Sequence, residues 1–175
     1  MRKLHPRRGF TLIEILCVVV ILGIASAIII PQIGSRDDLM AGAAARVLMS
    51  DLMYAQNRAI AMQKKHFVQF VGQQYTLMAR DTDVSALYTI TQPITKNPYS
   101  VTFGTANSSL ARASLGTPSF TTGIVAFDEM GSPYSYNAGT NVLTPMTSAG
   151  TITVTSGTKT LTISIEPYTG EATVQ

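Results

Sequence analysis

Glu14 is the residue most suited to a functional role, because it is the only charged residue between Gly9 and Pro31. A carboxylate inside a membrane helix costs about 2.5–3.5 kcal/mol on insertion scales, so an ionisable residue there is a functional hypothesis that requires a positively charged partner. Pairing with such a partner would offset the desolvation cost. The alternative is that Glu14 simply lies at a helix N-terminus near lipid headgroups, where the helix dipole favours a carboxylate.

Few other residues are candidates for catalysis or metal binding. His66 follows two lysines at the start of a predicted strand, and we interpret it as a solvated strand-edge histidine rather than a general base. Asp81 with Asp83, and Asp128 with Glu129, supply the oxygen ligands that calcium prefers, but neither pair has a third ligand or a loop of calcium-binding geometry. The sequence contains no nucleophile elbow, phosphate loop or His-Glu-x-x-His motif. We therefore predict no catalytic residue, no metal site and no cofactor.

Composition excludes several classes of protein. The chain has 175 residues, of which 46% are hydrophobic and 13% charged, so its apolar content and its net charge of +3 argue against intrinsic disorder. Its one cysteine, Cys17, excludes a disulfide framework and a cysteine-based zinc site. Four of the 13 basic residues (Arg2, Lys3, Arg7 and Arg8) precede Phe10, and the other nine oppose ten acids. Overall charge therefore gives no support to nucleic-acid binding.

Residues 10–30 form the element that must position Glu14. They are apolar on every side, and a helix of this length reaches roughly 30 Å, the thickness of the hydrocarbon core of a bilayer. Basic residues precede the segment and few follow it, which predicts a cytoplasmic N-terminus. Signal-peptide cleavage after Ala27 is less favoured, because the apolar run continues directly into Ile28. A lipoprotein anchor at Cys17 is weaker still, because bulky Leu16 precedes it.

The sequence around Glu14 resembles a known processing motif. Residues 7–14 read Arg-Arg-Gly-Phe-Thr-Leu-Ile-Glu, which is similar to the motif of type IV prepilins and type II secretion pseudopilins. The resemblance implies that a membrane prepilin peptidase removes residues 1–9 by cutting between Gly9 and Phe10, and that Phe10 is then N-methylated. It also implies that Glu14 pairs with the new amino group, on the same or a neighbouring subunit.

A second helix is predicted beyond Pro31, which breaks the first helix because it has no backbone N–H. In the family this proline loosens the helix during filament packing, and the alternative is that it only marks the membrane exit. The predicted helix covers residues 37–63, with a polar side of Arg46, Asp51, Gln56, Asn57 and Arg58 that would face water or neighbours. Its apolar stripe, which would pack on the head, consists of Ala44, Leu48, Leu52, Ala55, Ala59 and Met62.

The rest of the sequence predicts a β-rich head. Short alternating runs separated by turn residues are typical of antiparallel strands, whereas residues 104–119 are rich in Ser, Thr, Ala and Gly and are predicted to be a loop. A long N-terminal helix followed by such strands predicts an α+β fold with the sheet packed on the helix. The predicted strands are residues 66–71, 75–79, 87–91, 99–103, 123–127, 151–155, 160–165 and 172–174.

Three segments carry a narrower resemblance. Residues 44–60, 125–131 and 163–170 resemble the GspH/FimT subgroup of minor pseudopilins and minor pilins. This implies a structural minor pseudopilin of a type II secretion system, anchored in the inner membrane with its head in the periplasm. Its partners would be other pilins or pseudopilins, the prepilin peptidase and membrane lipid. The implied regions are a cleaved leader (1–9), a transmembrane half-helix (10–30), a periplasmic half-helix (31–65) and the head (66–175).

Two alternative functions are left open by the sequence. The first is a minor pilin of type IV pili, with a possible role in DNA uptake. That role requires a basic patch, whereas Arg80, Lys96, Arg112 and Lys159 are scattered and the C-terminal residues are acidic, so nucleic acid is not an expected partner. The second is a membrane-tethered periplasmic binding protein or enzyme, which would need a concave site in the head.

Overall fold

The computed structural model describes residues 9–29, 36–83, 85–106 and 110–175. The predicted leader residues 1–8 and the helix break at Pro31 lie outside this part of the chain. Contacts divide the chain into two units, Met1–Ser35 and Arg36–Gln175. The first unit contains helix α1 and the second contains helix α2 with all the described strands.

Helix α1 spans Leu12–Ile29 and has 18 residues. Its sequence has no polar stripe, and the large side chains from Leu12 to Ile24 are about half or more exposed, as expected of a helix that is apolar on every side. Within the described residues, no helix combines the length and the hydropathy that crossing a membrane requires.

Helix α2 spans Arg36–Met62, close to the predicted residues 37–63. Five residues of the predicted apolar stripe (Ala44, Leu48, Leu52, Ala55 and Ala59) are buried, which confirms the packing face. The prediction was wrong for Met62, which is 46% exposed, because the helix ends at this residue.

Two antiparallel sheets pack on α2. The larger sheet has the strand order β3-β2-β1-β6-β7-β8, with β4 also paired to β2, and the smaller sheet has the order β11-β10-β9-β5. The described part of the head contains eleven strands: β1 (His66–Val71), β2 (Gln74–Ala79), β3 (Tyr88–Thr89), β4 (Ser100–Thr102), β5 (Ser114–Leu115), β6 (Ile124–Phe127), β7 (Pro133–Asn137), β8 (Val142–Pro145), β9 (Gly150–Ser156), β10 (Lys159–Ile165) and β11 (Ala172–Val174).

This arrangement confirms the predicted α+β fold with a helix packed on antiparallel strands. Strands β1 and β11 have the predicted bounds, whereas hairpin β7–β8 was missed. Its sequence begins with Pro133 and lacks the apolar alternation of a half-buried strand, and a proline is tolerated only at the start or edge of a strand. The predicted loop at 104–119 also contains β5, which pairs with β9.

The main hydrophobic core lies between α2 and the two sheets. It includes Leu48 and Leu52 from α2, Tyr75 from β2, and Ile152 and Ile163 from the smaller sheet. A second, smaller cluster covers the opposite face of the larger sheet and consists of Phe67, Ile124, Ala126 and Tyr136. Because α2 packs against both sheets, some of its polar residues become buried.

Candidate functional site: the N-terminal segment and the polar contacts of α2

Thr11 precedes helix α1 and caps its first turn, which contains Glu14. The backbone N–H of Glu14 donates to the Thr11 hydroxyl at 3.3 Å and to the Thr11 carbonyl at 3.1 Å. A threonine followed three residues later by a glutamate is the sequence pattern of a capping box. The motif therefore both starts the helix and fixes where the carboxylate lies relative to residue 10.

The predicted processing bond is accessible. Gly9 is exposed, a Cβ added to it would meet nothing within 4 Å, and Phe10 is 78% exposed. Glu14 is also exposed, and no basic side chain among the described residues forms an ion pair with it. Any cation that neutralises Glu14 must therefore be a group other than the basic side chains of the described residues.

Asp51 forms a second carboxylate site, which sequence reasoning missed. It was predicted on the polar side of α2, but it is buried between the helix and the larger sheet. The Tyr75 hydroxyl donates to Oδ2 of Asp51 at 2.6 Å, and the Tyr99 hydroxyl donates to Oδ1 at 2.8 Å. Both oxygens of the carboxylate are thus bound by residues of the same subunit.

Burial is the main influence on the ionisation of the cluster formed by Asp51, Tyr75 and Tyr99. Desolvation raises the pKa of Asp51 above its ordinary value, although the hydrogen bonds from Tyr75 and Tyr99 oppose that shift. Burial, followed by the adjacent carboxylate, raises the pKa of Tyr75 well above its usual range. Both tyrosines therefore keep their protons and act as donors, so the cluster joins α2 to β2 and to the residue before β4.

Gln56 brings together two of the segments that carry the narrower resemblance. Its side-chain amide donates to the carbonyl of Gly131 at 2.9 Å and to that of Thr169 at 2.7 Å. Gly170 fits beneath this contact with φ of +70°, and a Cβ there would lie 2.6 Å from the Gly131 carbonyl oxygen. Gln56 was also predicted to face water or neighbours, and instead it fastens two turns of the head to α2.

The prediction that His66 is a solvated strand-edge residue was wrong. Strand β1 lies between β2 and β6, so it is a central strand, and His66 is only 1% exposed. Its Nδ1 lies 2.9 Å from the Lys64 carbonyl, which can only accept, so Nδ1 carries the proton. Burial lowers the pKa of His66, and the nearby charges of Arg58 and Lys64 lower it further.

Three of the carboxylates considered as calcium ligands form hydrogen bonds or ion pairs within the subunit. Asp81 pairs with Lys64 at 2.7 Å, and Asp83 pairs with Lys65 at 2.6 Å. Asp128 accepts from the backbone N–H groups of Met130 and Ser132 and so shapes the turn between β6 and β7. Within the described ranges, no group of three or more possible ligands could hold a metal ion.

Of the basic residues considered for nucleic-acid binding, Arg80 is not on the surface. It is 3% exposed and lies against the rings of Phe67 and Tyr136, with its carbon Cζ 5.2 Å and 5.5 Å from their centroids. Arg112 lies 3.9 Å from the Asp37 carboxylate. These two cations therefore interact with the subunit itself.

The N-terminal segment is similar in sequence to known proteins. Residues 4–30 match the family model for the prokaryotic N-terminal methylation motif. The chain is 67% identical over 34 residues to type II secretion system core protein G of Pseudomonas aeruginosa. The aligned segment is 19% of this chain and only 24% of the length of that relative.

The head is similar to solved structures at low sequence identity. The minor pseudopilin EpsH from the type 2 secretion system of Vibrio cholerae matches with a TM-score of 0.51 and 10% identity, over 77% of this chain and 94% of that one. The type IV minor pilin FimU of P. aeruginosa gives a TM-score of 0.47 and 14% identity, over 77% and 91%. The likeness to EpsH shows that the head has a pilin-like fold.

Proposed function

We propose that this chain, which is type IV pilin-like in its N-terminal motif and in the fold of its head, is a structural minor pseudopilin of a type II secretion system. The observation that carries the proposal is the first turn of α1. There Thr11 caps the helix, and Glu14 is the one charge of an otherwise apolar element, directly after an accessible Gly9–Phe10 bond. The chain contributes an assembly helix and a contact surface, and no catalytic step is assigned to it.

In this proposal residues 10–30 hold the precursor in the inner membrane, with the head in the periplasm. The prepilin peptidase cuts after Gly9, and the amino group of Phe10 becomes the counter-charge of Glu14 on the same or a neighbouring subunit. Pairing removes the cost of a lone carboxylate in apolar surroundings, and it joins subunits in one axial register. Other pilins or pseudopilins are the partners, and lipid surrounds α1 before assembly.

The type II assignment draws on the relatives. The strong N-terminal identity is to a type II secretion protein, and the structure with the higher TM-score is a minor pseudopilin of such a system. The same stem would serve a minor pilin of type IV pili, because the segment of strong identity is confined to 34 residues. Recovery of the neighbouring subunits with the tagged full chain discriminates between the two systems.

Mass spectrometry of the mature N-terminus tests the processing step. We expect the wild-type chain to begin at Phe10 and to carry one N-methyl group. Gly9→Leu should accumulate as the uncleaved precursor. Gly23→Leu is the matched control, because the same substitution in α1 also meets nothing within 4 Å and should be processed normally. A Gly9→Leu chain of normal mature mass, or a wild-type chain beginning at Ile28, would refute prepilin processing.

A further inference from the structure

An exposed apolar patch lies where two turns of the head meet the C-terminal end of α2. This turn patch consists of Ile60, Met130 and Tyr168, which are 42%, 82% and 68% exposed. Ile60 lies against Gly131, since a Cβ on that glycine would come 2.9 Å from its Cδ1 atom. The bonds from Gln56 tie both turns to the helix, so the three side chains stand on a rigid support.

Tyr168 projects from this support in an unfavourable backbone conformation. Its φ is +66°, in the left-handed region that a bulky residue rarely adopts. Among the described residues no side chain bonds to its hydroxyl, and no aromatic ring lies against it. Large aromatic and methionine side chains are enriched in protein–protein interfaces, so a held and uncovered tyrosine beside Met130 has the character of an interface anchor.

The rim of the turn patch is acidic and uncompensated. The N–H of Glu166 donates to the Glu171 carbonyl at 2.9 Å, so the two glutamates lie opposite each other across the turn. Like charges in that position destabilise a hairpin. No basic side chain in the described part of the chain forms an ion pair with either glutamate. A partner that covers the patch would therefore gain by bringing positive charge.

The N-terminal half of α2 presents the complementary surface. Leu39 is 68% exposed and Val47 is 36% exposed, and Ala43 lies exposed between them. Helical periodicity puts Arg36 and Arg46 on the same side as these residues, and both arginines are exposed. Within the described ranges neither arginine forms an ion pair. We call these five residues the helix surface.

We propose that the turn patch of one subunit binds the helix surface of a second copy of this chain. Tyr168, Met130 and Ile60 would cover the apolar residues, while Glu171, with Glu166 opposite it, would meet Arg46. Ala43 and Ile60 are 17 residues apart, or about 25 Å along the helix axis, so the contact joins different ends of the two copies. Such a head-to-tail contact leaves one surface free on each copy and can repeat along a filament. The inference rests on the proposed function.

Cysteine cross-linking of the full chain in membranes tests this contact. In a Cys17→Ser background, one copy carries Tyr168→Cys and the other carries Val47→Cys. Mild oxidation should give a disulfide-linked product in which the Tyr168→Cys peptide is joined to the Val47→Cys peptide, which mass spectrometry after digestion distinguishes from disulfides between two copies of the same variant. The matched control replaces Tyr168→Cys by Ile94→Cys, because Ile94 is 93% exposed but belongs to neither surface, and it should give no such product.

Charge reversal separates a specific contact from chance collision. We expect Arg46→Glu and Glu171→Arg each to lower the yield of cross-linked product at least about tenfold, because like charges would then face each other. The two reversals combined, one on each cysteine-bearing copy, should restore most of the yield. An unchanged yield in the single variants, no restoration in the combined pair, or a product containing a different protein would overturn the proposal.

The mass of the chains in the cross-linking samples tests the proposed function separately from the surface contact. The mass of each chain reports whether cleavage after Gly9 and methylation of Phe10 have occurred. Processed chains that give no cross-link overturn the contact but leave the pilin-like function intact. Unprocessed chains overturn that function, and the cross-link with its charge reversals still decides whether the two surfaces meet.

Discussion

Asp51 in α2 and Glu14 in α1 are both carboxylates with mainly apolar neighbours in sequence, and they differ in their partners. Asp51 in α2 is buried and receives hydrogen bonds from Tyr75 and Tyr99 of its own subunit. Glu14 in α1 has no ion-pair partner among the described residues. The partners of Asp51 therefore lie within its own subunit, whereas the partner that we propose for Glu14 is the amino group that cleavage would free at Phe10.

This difference separates the stability of the head from the assembly of the chain. A substitution at Asp51 should act on the unfolding of the head and reach assembly only through that route. A substitution at Glu14 should leave the head unchanged and act on association. The next two predictions, at Asp51 and at Glu14, would fail if the two carboxylates were not independent in this way.

The largest effect is expected at Asp51. Asp51→Leu removes both acceptors and leaves the Tyr75 and Tyr99 hydroxyls without partners beside the core, at a cost of about 3 kcal/mol. The free energy of unfolding of the head, measured by pulse proteolysis of the full chain in detergent, should fall by that amount. Asp51→Asn is the matched control, since its amide keeps the shape and still bonds with both hydroxyls, and it should cost about 1 kcal/mol or less. Equal losses for the two variants would contradict this account.

A smaller effect, confined to association, is expected at Glu14. Glu14→Ala should be processed normally, but the recovery of neighbouring subunits with the tagged full chain should fall about tenfold, which corresponds to about 1.4 kcal/mol. Ser26→Ala is the matched control in the same helix. The Ser26 hydroxyl donates to the Leu22 carbonyl at 2.7 Å and is thus satisfied within α1, so its removal should leave recovery unchanged. Undiminished recovery of Glu14→Ala would remove the charge-pairing argument.

Sequence patterns predicted the elements better than the polar contacts between them. The buried stripe of α2 from Ala44 to Ala59 was visible as helical periodicity, and Glu14 stood out because no other charge lies near it. Asp51 could not be found in this way. It lies one residue before Leu52, at the margin of the stripe, and only the pairing that carries Tyr75 and Tyr99 onto the same face of the sheet shows that it is buried.

The same limit explains two further errors, one on the head and one on α2. His66 was misplaced because the neighbouring lysines suggested an exposed strand end, whereas β1 gains partners on both sides from segments far along the chain. Gln56 was predicted to face water or neighbours because its partners, the carbonyls of Gly131 and Thr169, belong to turns that are distant in sequence. Buried polar residues are specified by long-range contacts, which local periodicity does not encode.

The smallest predicted effect is on the pH dependence of head stability. The pKa of His66 is lowered by burial and by the charges of Arg58 and Lys64, so the unfolded chain binds a proton more readily than the folded one. His66 therefore contributes stability above its ordinary pKa of 6.5, and that stability is lost as the pH falls below this value. Protonation would also add a donor at Nε2, which is buried without a partner among the described residues.

Comparison of the wild-type chain with His66→Gln isolates this contribution. Between about pH 7 and about pH 5, the wild-type free energy of unfolding should fall relative to that of the variant. Asp51 acts in the opposite direction at lower pH. Its pKa is raised in the folded head, so acidification through that pKa favours folding, and Asp51→Asn should abolish the gain. If the two variants followed the wild-type pH profile, neither buried group would be linked to folding as the geometry requires.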